Sequence, residues 1–398
     1  MNFASAITTK SEWTEVVEEL TLQVRRQLGP GRPDFALLFL HPEFVPQMED
    51  LIDALRNALG AGQLLGCTGG GVIGNQEEIE RKPAVSLLAG QLPGAKVRTF
   101  RVTEDELEEA SGPDFWHFQT EITAEENPNL LLLADPFSIQ AVHLVQELTL
   151  AYPAAPLIGG LASGGRQPGE NRLFVNDEIF DDGAIGAAFT GNVALHAIVS
   201  QGCKPIGEPL TVTRADKNLI FELGGRPPGV VLQELLPQLT QTDQKLARTA
   251  LFLGRVVNEY QEDFGRGDFL IRNLIGLDQQ SGALAVGDWM RTGQTVQFQV
   301  RDGESADLDL KHLLEKEKES LGRAAPQGAL LFSCLGRGEG MYGVPNHDIS
   351  VLHQVVGSVP TAGFFCNGEI GPVGERAFVH GFTSVIGLFT EPGRQPVP

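Results

Sequence analysis

The sequence has few positive charges and no basic cluster. Its 398 residues include 30 Lys and Arg against 51 Asp and Glu, which gives a formal net charge of −21. Binding to nucleic acid requires clustered basic side chains, and no basic run here exceeds a pair such as Arg25 and Arg26. We therefore expect no nucleic-acid partner, and the same charge opposes binding to an anionic membrane surface.

Long apolar runs and paired cysteines are missing too. The first ten residues lack the basic and apolar regions of a secretory signal, and no stretch of about 18 uncharged apolar residues occurs. We expect no membrane insertion and a cytoplasmic location. The four cysteines are Cys67, Cys203, Cys334 and Cys366. They are widely spaced and form no C-x-x-C pair, so the sequence indicates neither a metal site nor a disulfide framework.

Glycine, in contrast, is abundant, with 47 residues. The absence of a G-X-Y period excludes a collagen-like chain, and 42% hydrophobic residues indicate a globular protein. Many glycines follow a unit of strand, helix and short strand that occurs three times. The predicted copies are strand 35–40, helix 46–59, strand 63–67 and loop 68–71; then 129–134, 138–151, 156–160 and 162–165; then 329–333, 346–356, 360–365 and 366–368.

This pattern predicts a mixed α/β fold in two related halves. A helix that joins two buried strands gives locally parallel pairing, and antiparallel hairpins add edges. We expect hairpin turns at residues 190–192 and 291–293, and an N-terminal helix over residues 11–28 capped by Ser11. The glycines and prolines of residues 224–229 suggest a domain boundary, and residues 391–398 suggest a frayed tail.

Two groups of segments resemble a known family. Residues 65–73 (LGCTGGGVI), followed by 83–86 (PAVS) and 157–164 (LIGGLASG), resemble the N-terminal module of FIST proteins. Residues 332–338 (FSCLGRG), 363–374 (GFFCNGEIGPVG) and 378–383 (FVHGFT) resemble the C-terminal FIST module. The resemblance implies FIST modules over residues 30–225 and 229–392.

The resemblance implies a sensory role. FIST modules are regarded as sensory parts of bacterial signalling proteins and eukaryotic F-box proteins, and they are proposed to bind small ligands such as amino acids. The resemblance supplies no settled catalytic residue, ligand or cofactor. Since no F-box or signalling output segment accompanies the modules, we expect this chain to act through a protein partner, without catalysis and without a cofactor.

The candidate ligand residues lie in the glycine loops. Arg337, between glycines after a buried strand, suits a ligand carboxylate, and Glu369 with Asn367 suits an ammonium group. Thr68 and Ser163 occupy the corresponding loops of the earlier copies, where turn capping is the alternative. His380, in an apolar strand before Gly381, is either a pocket contact or a core histidine.

Two other functions stay open. Cys334 and Cys366 end predicted strands near several histidines, so they are candidate pocket residues or the nucleophiles of a thiol enzyme. A small buried hydrophobe is the simpler interpretation of each cysteine. An interaction scaffold without a ligand is the second alternative. The G-x-G-x-x-G match at Gly338, Gly340 and Gly343 is weak evidence for a dinucleotide site, since Glu339 would repel a pyrophosphate.

Overall fold

The computed structural model describes residues 1–261, 263–265, 267–322 and 324–392. They form two compact units. The first comprises residues 1–199, 310–379 and 383–392, and the second comprises residues 200–309 and 380–382. Helices and mixed or antiparallel sheets make up the chain, so the predicted mixed α/β class is confirmed.

The secondary structure follows a repeated order. The first copy contains β1 (Asn2–Thr8), α1 (Trp13–Leu28), β2 (Phe35–Leu40), α2 (Met48–Leu59), β3 (Gln63–Thr68), β4 (Val72–Gly74), β5 (Glu77–Ile79) and β6 (Val85–Gln91). The second contains β7 (Ala95–Val102), α3 (Glu104–Glu109), α4 (Pro113–Thr120), β8 (Asn129–Ala134), α5 (Ala141–Ala151), β9 (Leu157–Leu161), β10 (Leu173–Val175), β11 (Glu178–Phe180) and β12 (Ala184–Gly191).

The third copy is interrupted by an insertion. It begins with β13 (Ala194–Gln201), and the insertion contains β14 (Cys203–Pro205), β15 (Leu210–Asp216), β16 (Leu219–Leu223), α6 (Pro228–Leu235), α7 (Gln241–Thr249), β17 (Leu251–Val256), β18 (Phe269–Leu277), β19 (Leu284–Val286) and β20 (Thr295–Arg301). The copy continues with α8 (Gly303–Leu321), β21 (Gly328–Cys334), α9 (Glu339–Tyr342), α10 (His347–Val356), β22 (Thr361–Cys366), β23 (Glu369–Val373), β24 (Arg376–His380) and β25 (Thr383–Thr390). Short 3₁₀ helices span Pro42–Gln47, Ala124–Glu126 and Leu236–Gln238.

Each copy builds one six-stranded sheet of the same design. The strand orders are β1-β6-β2-β3-β10-β11, β7-β12-β8-β9-β23-β24 and β13-β25-β21-β22-β4-β5. The strands on either side of the crossover helix pair in parallel, as predicted: β2 with β3, β8 with β9, and β21 with β22. The described chain therefore contains three equivalent sheets.

The hairpins are exchanged between copies. Hairpin β4–β5 of the first copy pairs with β22 of the third, β10–β11 of the second pairs with β3 of the first, and β23–β24 of the third pairs with β9 of the second. Each glycine loop thus carries the chain from its own sheet to a neighbouring one. This exchange brings residues that are distant in the sequence to the same place.

Successive side chains along the buried strands face opposite sides of the sheet, which produces a central core on one side and a helix-covered core on the other. In β2, Phe39 faces a central core, where its ring lies 5.0 Å from that of Phe364 and 6.1 Å from that of Phe332. Leu38 faces the opposite side, where α1 and α2 cover the sheet. Helices α4 and α5 cover the second sheet, and α8 and α10 the third. The sheets therefore share an interior, and helices cover their outer faces.

One glycine recurs at the same register position in all three copies. Gly66, Gly159 and Gly363 lie opposite leucines of the adjacent parallel strand. At each of them an added Cβ would lie 1.8 Å from the leucine carbonyl oxygen. Only glycine permits this approach of the two backbones, which accounts for part of the glycine surplus in structural terms.

The second unit contains a closed barrel. Strands β15, β16, β19, β18, β17 and β20 pair in a ring, and β14 pairs with β20. Residues 224–229, where the sequence suggests a boundary, connect β16 to α6 inside this unit. The compact units thus divide the chain differently from the expected modules at residues 30–225 and 229–392, which stay predictions.

These helices begin later in the structure than the sequence predicts, each for a local reason. Ser11 does not cap the first helix, because Glu12 occupies the N-cap position. A 3₁₀ helix precedes α2, and the Asp135 carboxylate accepts hydrogen bonds from the Phe137 amide and the Ser138 hydroxyl ahead of α5. Asn346 has a φ of 60°, a left-handed conformation that excludes it from α10.

Both predicted hairpin turns are wrong. Residues 190–192 join β12 to β13, which belong to different sheets, and residues 291–293 join β19 to β20, which do not pair with each other. The sequence shows alternation around these turns, but a turn does not determine which strands pair. Of the predicted tail, residues 393–398 lie outside the described residues. In the described part of the chain, no helix is both long and apolar enough to cross a membrane.

Candidate functional site

The site is built around a buried ion pair in the first unit. Arg337 lies in the loop after β21 and is 1% exposed. Its Nε donates to Asp348 Oδ2 at 2.8 Å, and its Nη2 donates to Asp348 Oδ1 at 3.1 Å and to the Tyr342 hydroxyl at 2.5 Å. Ser333 donates to Asp348 Oδ2 at 3.1 Å. The planar guanidinium is therefore fixed by two hydrogen bonds to one carboxylate.

Both members of the pair are charged near neutral pH. Burial acts to lower the pKa of Arg337, but the Asp348 carboxylate raises it above the usual value. Burial acts to raise the pKa of Asp348, but the charge of Arg337 holds it well below its usual range. Because the two charges compensate each other, they are tolerated in the interior, where an isolated charge would be very costly.

Asp348 occupies the first turn of α10, a position that favours negative charge. Two aromatic rings lie beside the Arg337–Asp348 pair. His347 Nδ1 lies 3.1 Å from Asp348 Oδ1, and its ring stacks on that of Tyr342 with a centroid separation of 3.4 Å. Burial raises the pKa of Tyr342, so its hydroxyl stays protonated.

Glu78 reaches this site from the first copy, through the exchanged hairpin. Its amide donates to Asn346 Oδ1 at 2.7 Å, and its Oε1 accepts from the Ile349 amide at 2.8 Å. The side chain of Glu78 is buried against the first turn of α10. Burial, followed by the charge of Asp348, raises the pKa of Glu78 to about 8. The carboxyl group of Glu78 is thus largely neutral at pH 7.

Glu369 is a second buried carboxyl group, and the charge of Arg337 acts to lower its pKa. It lies in β23, which pairs with β9 of the second copy. Its Oε2 accepts from the Thr383 amide at 3.0 Å and from the Thr383 hydroxyl at 2.7 Å. Burial raises the pKa of Glu369 to about 8, although the Thr383 hydrogen bonds act in the opposite direction.

Three polar atoms around the ion pair are left without a hydrogen-bond partner. Among the described residues, nothing pairs with the buried Nη1 of Arg337, Oε2 of Glu78 or Oε1 of Glu369. Buried polar atoms normally have partners, and each omission costs about 1–3 kcal/mol. Each of these three atoms retains the capacity for a further hydrogen bond.

A surface pocket of about 340 Å³ reaches Glu78. Its lining consists of residues 77–82, Glu339, Pro345 and Asn346. Glu80 Oε1 accepts from the Glu339 amide at 2.8 Å and so ties the hairpin to the loop that carries Arg337. Glu78 is therefore part of the wall of this pocket, although its side chain is buried.

The two candidate cysteines differ in environment. Cys334 and Cys366 lie opposite each other at the ends of β21 and β22. Cys334 is half-buried, and the Gly336 amide donates to its sulfur at 3.5 Å. Cys366 is fully buried, and burial raises the pKa of its thiol well above the usual value. Cys366 is therefore a thiol at neutral pH.

The remaining candidates are dispersed. Ser163 Oγ accepts from the Gly70 amide at 2.8 Å and donates to the Phe365 carbonyl, and Thr68 Oγ1 accepts from the Arg172 amide at 3.0 Å. Asn367 is exposed, and its amide donates to the Leu161 carbonyl. His380 is buried and is grouped with the second unit. Arg337 and Glu369 are thus the predicted residues that the ion-pair cluster contains, with Cys334 beside them.

Sequence analysis missed Glu78, Asp348 and Tyr342. Asp348 lies at a predicted helix start, where an acidic residue is ordinary, and Glu78 lies in a charged run that is typical of a solvated strand edge. No local signal marks Glu78, because its position depends on the exchange of hairpins. In the described part of the chain, no group of three or more His, Cys, Asp or Glu side chains is placed to hold a metal ion.

Comparison with known proteins identifies the family. Residues 34–226 match the FIST N domain, and residues 230–372 match the FIST C domain. An uncharacterized protein of Mycobacterium tuberculosis strain H37Rv is 37% identical over 391 residues, which cover 98% of this chain and 100% of that protein. An uncharacterized protein of Mycobacterium bovis is 36% identical over 392 residues, covering 98% and 99%.

Among solved structures, a cyanuric acid hydrolase from A. caulinodans aligns over 96% of this chain and 99% of its own, with 9% identity and a TM-score of 0.35. The two domain matches together cover most of the chain in the order FIST N, FIST C. FIST domains are associated with signal transduction and small-ligand sensing. The chain therefore belongs to the FIST family.

Proposed function

We propose that this protein is a sensor that binds a small polar ligand beside the Arg337–Asp348 ion pair and signals through a protein partner, without catalysis. The observation that carries the proposal is the set of three buried, unpartnered atoms: Arg337 Nη1, Glu78 Oε2 and Glu369 Oε1. An ion pair that served only the fold would gain stability if these atoms were paired or replaced by apolar groups. Their retention supports a binding role.

The contribution of each residue follows from its free atoms. Asp348 already occupies Nε and Nη2 of Arg337, so Arg337 has no second nitrogen pair for a two-point contact with a ligand carboxylate. Nη1 remains, and it suits one acceptor oxygen of the ligand. Glu369 offers Oε1, and Glu78 offers Oε2. An amino acid or a molecule of similar size and polarity satisfies this set.

The origin of these groups supports a sensing role. Glu78 belongs to the first copy, Arg337 belongs to the third, and Glu369 lies on a strand that pairs with the second copy. A ligand that bonds to them would stabilise the arrangement of the three copies. Binding to a preferred arrangement shifts its population, and a protein partner can detect that shift.

The burial of Cys366 supports binding over thiol chemistry at that residue. A nucleophilic cysteine must be accessible and must form a thiolate readily. Cys366 is fully buried, with the pKa of its thiol raised. We therefore assign Cys366 a packing role and propose that no thiol reaction takes place there.

A thermal-unfolding screen tests the proposal. Amino acids and related metabolites are added to the wild type, to Arg337→Lys and to Arg376→Lys. Lysine keeps the positive charge at residue 337 but cannot both bind Asp348 with two nitrogens and offer a third, whereas Arg376 is exposed in β24 and serves as the control. We expect a ligand to raise the melting temperature of the wild type and the control, but not of Arg337→Lys.

Two results would contradict the proposal. The first is the absence of stabilisation by any metabolite. The second is stabilisation that is equal in all three proteins, which would place the ligand elsewhere. Purification of a protein partner whose binding is indifferent to every metabolite and survives Arg337→Lys would favour a scaffold.

A further inference from the structure

The pocket that opens over β5 has more acidic than basic side chains in its lining. Its lining includes four glutamates, Glu77, Glu78, Glu80 and Glu339, against two basic residues, Arg81 and Lys82. The Arg81 guanidinium lies 3.8 Å from Glu339, and both side chains are well exposed. The remaining charges of the lining are thus more acidic than basic, which favours a cationic ligand over an anionic one.

Glu78 differs from the other three glutamates because it is buried and held in place. It is 7% exposed, its backbone amide bonds to Asn346, and its Oε1 accepts from the Ile349 amide. The other oxygen, Oε2, has no partner among the described residues. Glu78 thus holds a buried, unpartnered oxygen next to the pocket, and its ionised form would accept a hydrogen bond from a donor there.

The charges behind Glu78 do not oppose a cation. Asp348 contributes negative charge, and Arg337 contributes positive charge, but Arg337 is bound to Asp348 by two hydrogen bonds. This ion pair is neutral as a whole. A positive group that enters the pocket would therefore interact with Glu78 without meeting an uncompensated cation behind it.

We propose that this acidic pocket binds the ammonium group of an aliphatic amine, with Glu78 Oε2 as its principal acceptor. The proposal rests on the proposed function and narrows it, because it names the chemical class of ligand. A compact ammonium group has three donors and fits a pocket of this kind: one donor for Glu78, and the others for the surrounding carboxylates or water. The rest of the ligand extends through the 340 Å³ of the pocket.

Titration calorimetry with three matched probes tests this inference. Cadaverine, glutarate and pentanediol share a five-carbon chain and differ only in their charged or neutral ends. They are titrated at millimolar concentration and about pH 8.5, where Glu78 is ionised, into the wild type, Glu78→Gln and Glu18→Gln. Glutamine keeps the acceptor for the Ile349 amide but removes the charge, while Glu18 is an exposed glutamate of α1 outside the pocket and serves as the control.

We expect cadaverine to bind to the wild type and to Glu18→Gln with similar affinity, and at least about tenfold more weakly to Glu78→Gln. Glutarate and pentanediol should not bind measurably. The unfolding midpoint of each variant shows whether the protein is folded, so that a loss of binding can be assigned to the lost charge.

Other outcomes overturn the inference in distinguishable ways. Equal cadaverine affinity in wild type and Glu78→Gln, or equal loss in both variants, would show that Glu78 is not the acceptor. Binding of glutarate but not cadaverine would reject an amine ligand and leave a small-ligand sensor standing. If cadaverine does not bind while other metabolites stabilise the protein through Arg337, an amine ligand is also rejected and the small-ligand sensor still stands. If no compound binds at all, the proposed function fails as well.

Discussion

Arg337 and Asp348 form a two-point ion pair that is sealed from solvent, with Nε 2.8 Å from Oδ2 and Nη2 3.1 Å from Oδ1. Neither side chain is more than 1% exposed. Removing one partner leaves the other charge buried and unpaired. We expect Asp348→Asn to lower the free energy of unfolding by about 3–5 kcal/mol.

The measurement is denaturant unfolding followed by the fluorescence of the buried Trp116, which belongs to the same unit. Glu121→Gln is the control, because it breaks the exposed ion pair between Arg98 and Glu121 and should cost less than about 1 kcal/mol. Equal losses in the two variants would show that burial of the Arg337 pair has no energetic weight.

Glu369 predicts a particular dependence of stability on pH. The pKa of this carboxyl group is raised from 4.5 to about 8, so the folded protein binds a proton that the unfolded chain releases. Stability therefore falls as the pH rises between these values, by about 1 kcal/mol per pH unit for this group, and levels off above pH 8.

Glu369→Gln removes this titration and keeps an acceptor for Thr383. We expect the variant to gain stability relative to the wild type as the pH rises from 5 to 8, as measured by denaturant unfolding at several pH values. A constant difference across this range would show that Glu369 is ionised in the folded protein.

The affinity for an amine should also depend on pH, through Glu78. The free protein holds this carboxyl group protonated below about pH 8, and an ammonium ligand binds to the ionised form. Affinity for cadaverine should therefore rise with pH, by up to about tenfold per unit, and level off near pH 8.

The groups that act on Glu78 are Asp348 on α10, Glu80 after β5, Arg337 in the loop after β21, and Tyr342 on α9. Glu78→Gln removes the carboxyl group that titrates, so this substitution should remove the slope. A slope that survives this substitution would assign the titration to another group.

Gly363 tests the close approach of strands that the three copies share. An alanine Cβ there would lie 1.8 Å from the Leu331 carbonyl oxygen, so the strands would have to separate. We expect Gly363→Ala to lower the free energy of unfolding by about 3 kcal/mol or more. Gly340→Ala is the control, because its Cβ would meet nothing within 4 Å, and it should change stability by less than about 1 kcal/mol. An unchanged unfolding midpoint for Gly363→Ala would contradict this account of the glycines.

The repeated part of the fold could be read from the sequence because its signals are local. Continuous apolar runs such as residues 35–40 mark strands buried on both faces, and the glycine loops mark where each unit ends. The parallel pairs β2–β3, β8–β9 and β21–β22 follow from a helix between two strands. The barrel has no comparable period, and the sequence did not predict it.

The site could be predicted only in part. Arg337 could be predicted as a site residue because it lies between glycines at a strand end, and Glu369 because it follows an Asn-Gly turn. Their partners depend on long-range pairing: Glu78 comes within reach of α10 because β4 pairs with β22, and no residue near Glu78 indicates that pairing. Strands β4 and β5 have three residues each, which is too short to show a hydrophobic period, so the sequence did not reveal their pairing with β22.

Native mass spectrometry of the wild type and Arg337→Lys, each incubated with the metabolite panel, tests the central claim most directly. The account predicts one small molecule bound per chain in the wild type and none in Arg337→Lys. If the ligand is an amine, its binding to Glu78→Gln should also be weaker than to the wild type. A wild type that carries no small molecule, or the same molecule bound equally to wild type and Arg337→Lys, would contradict it.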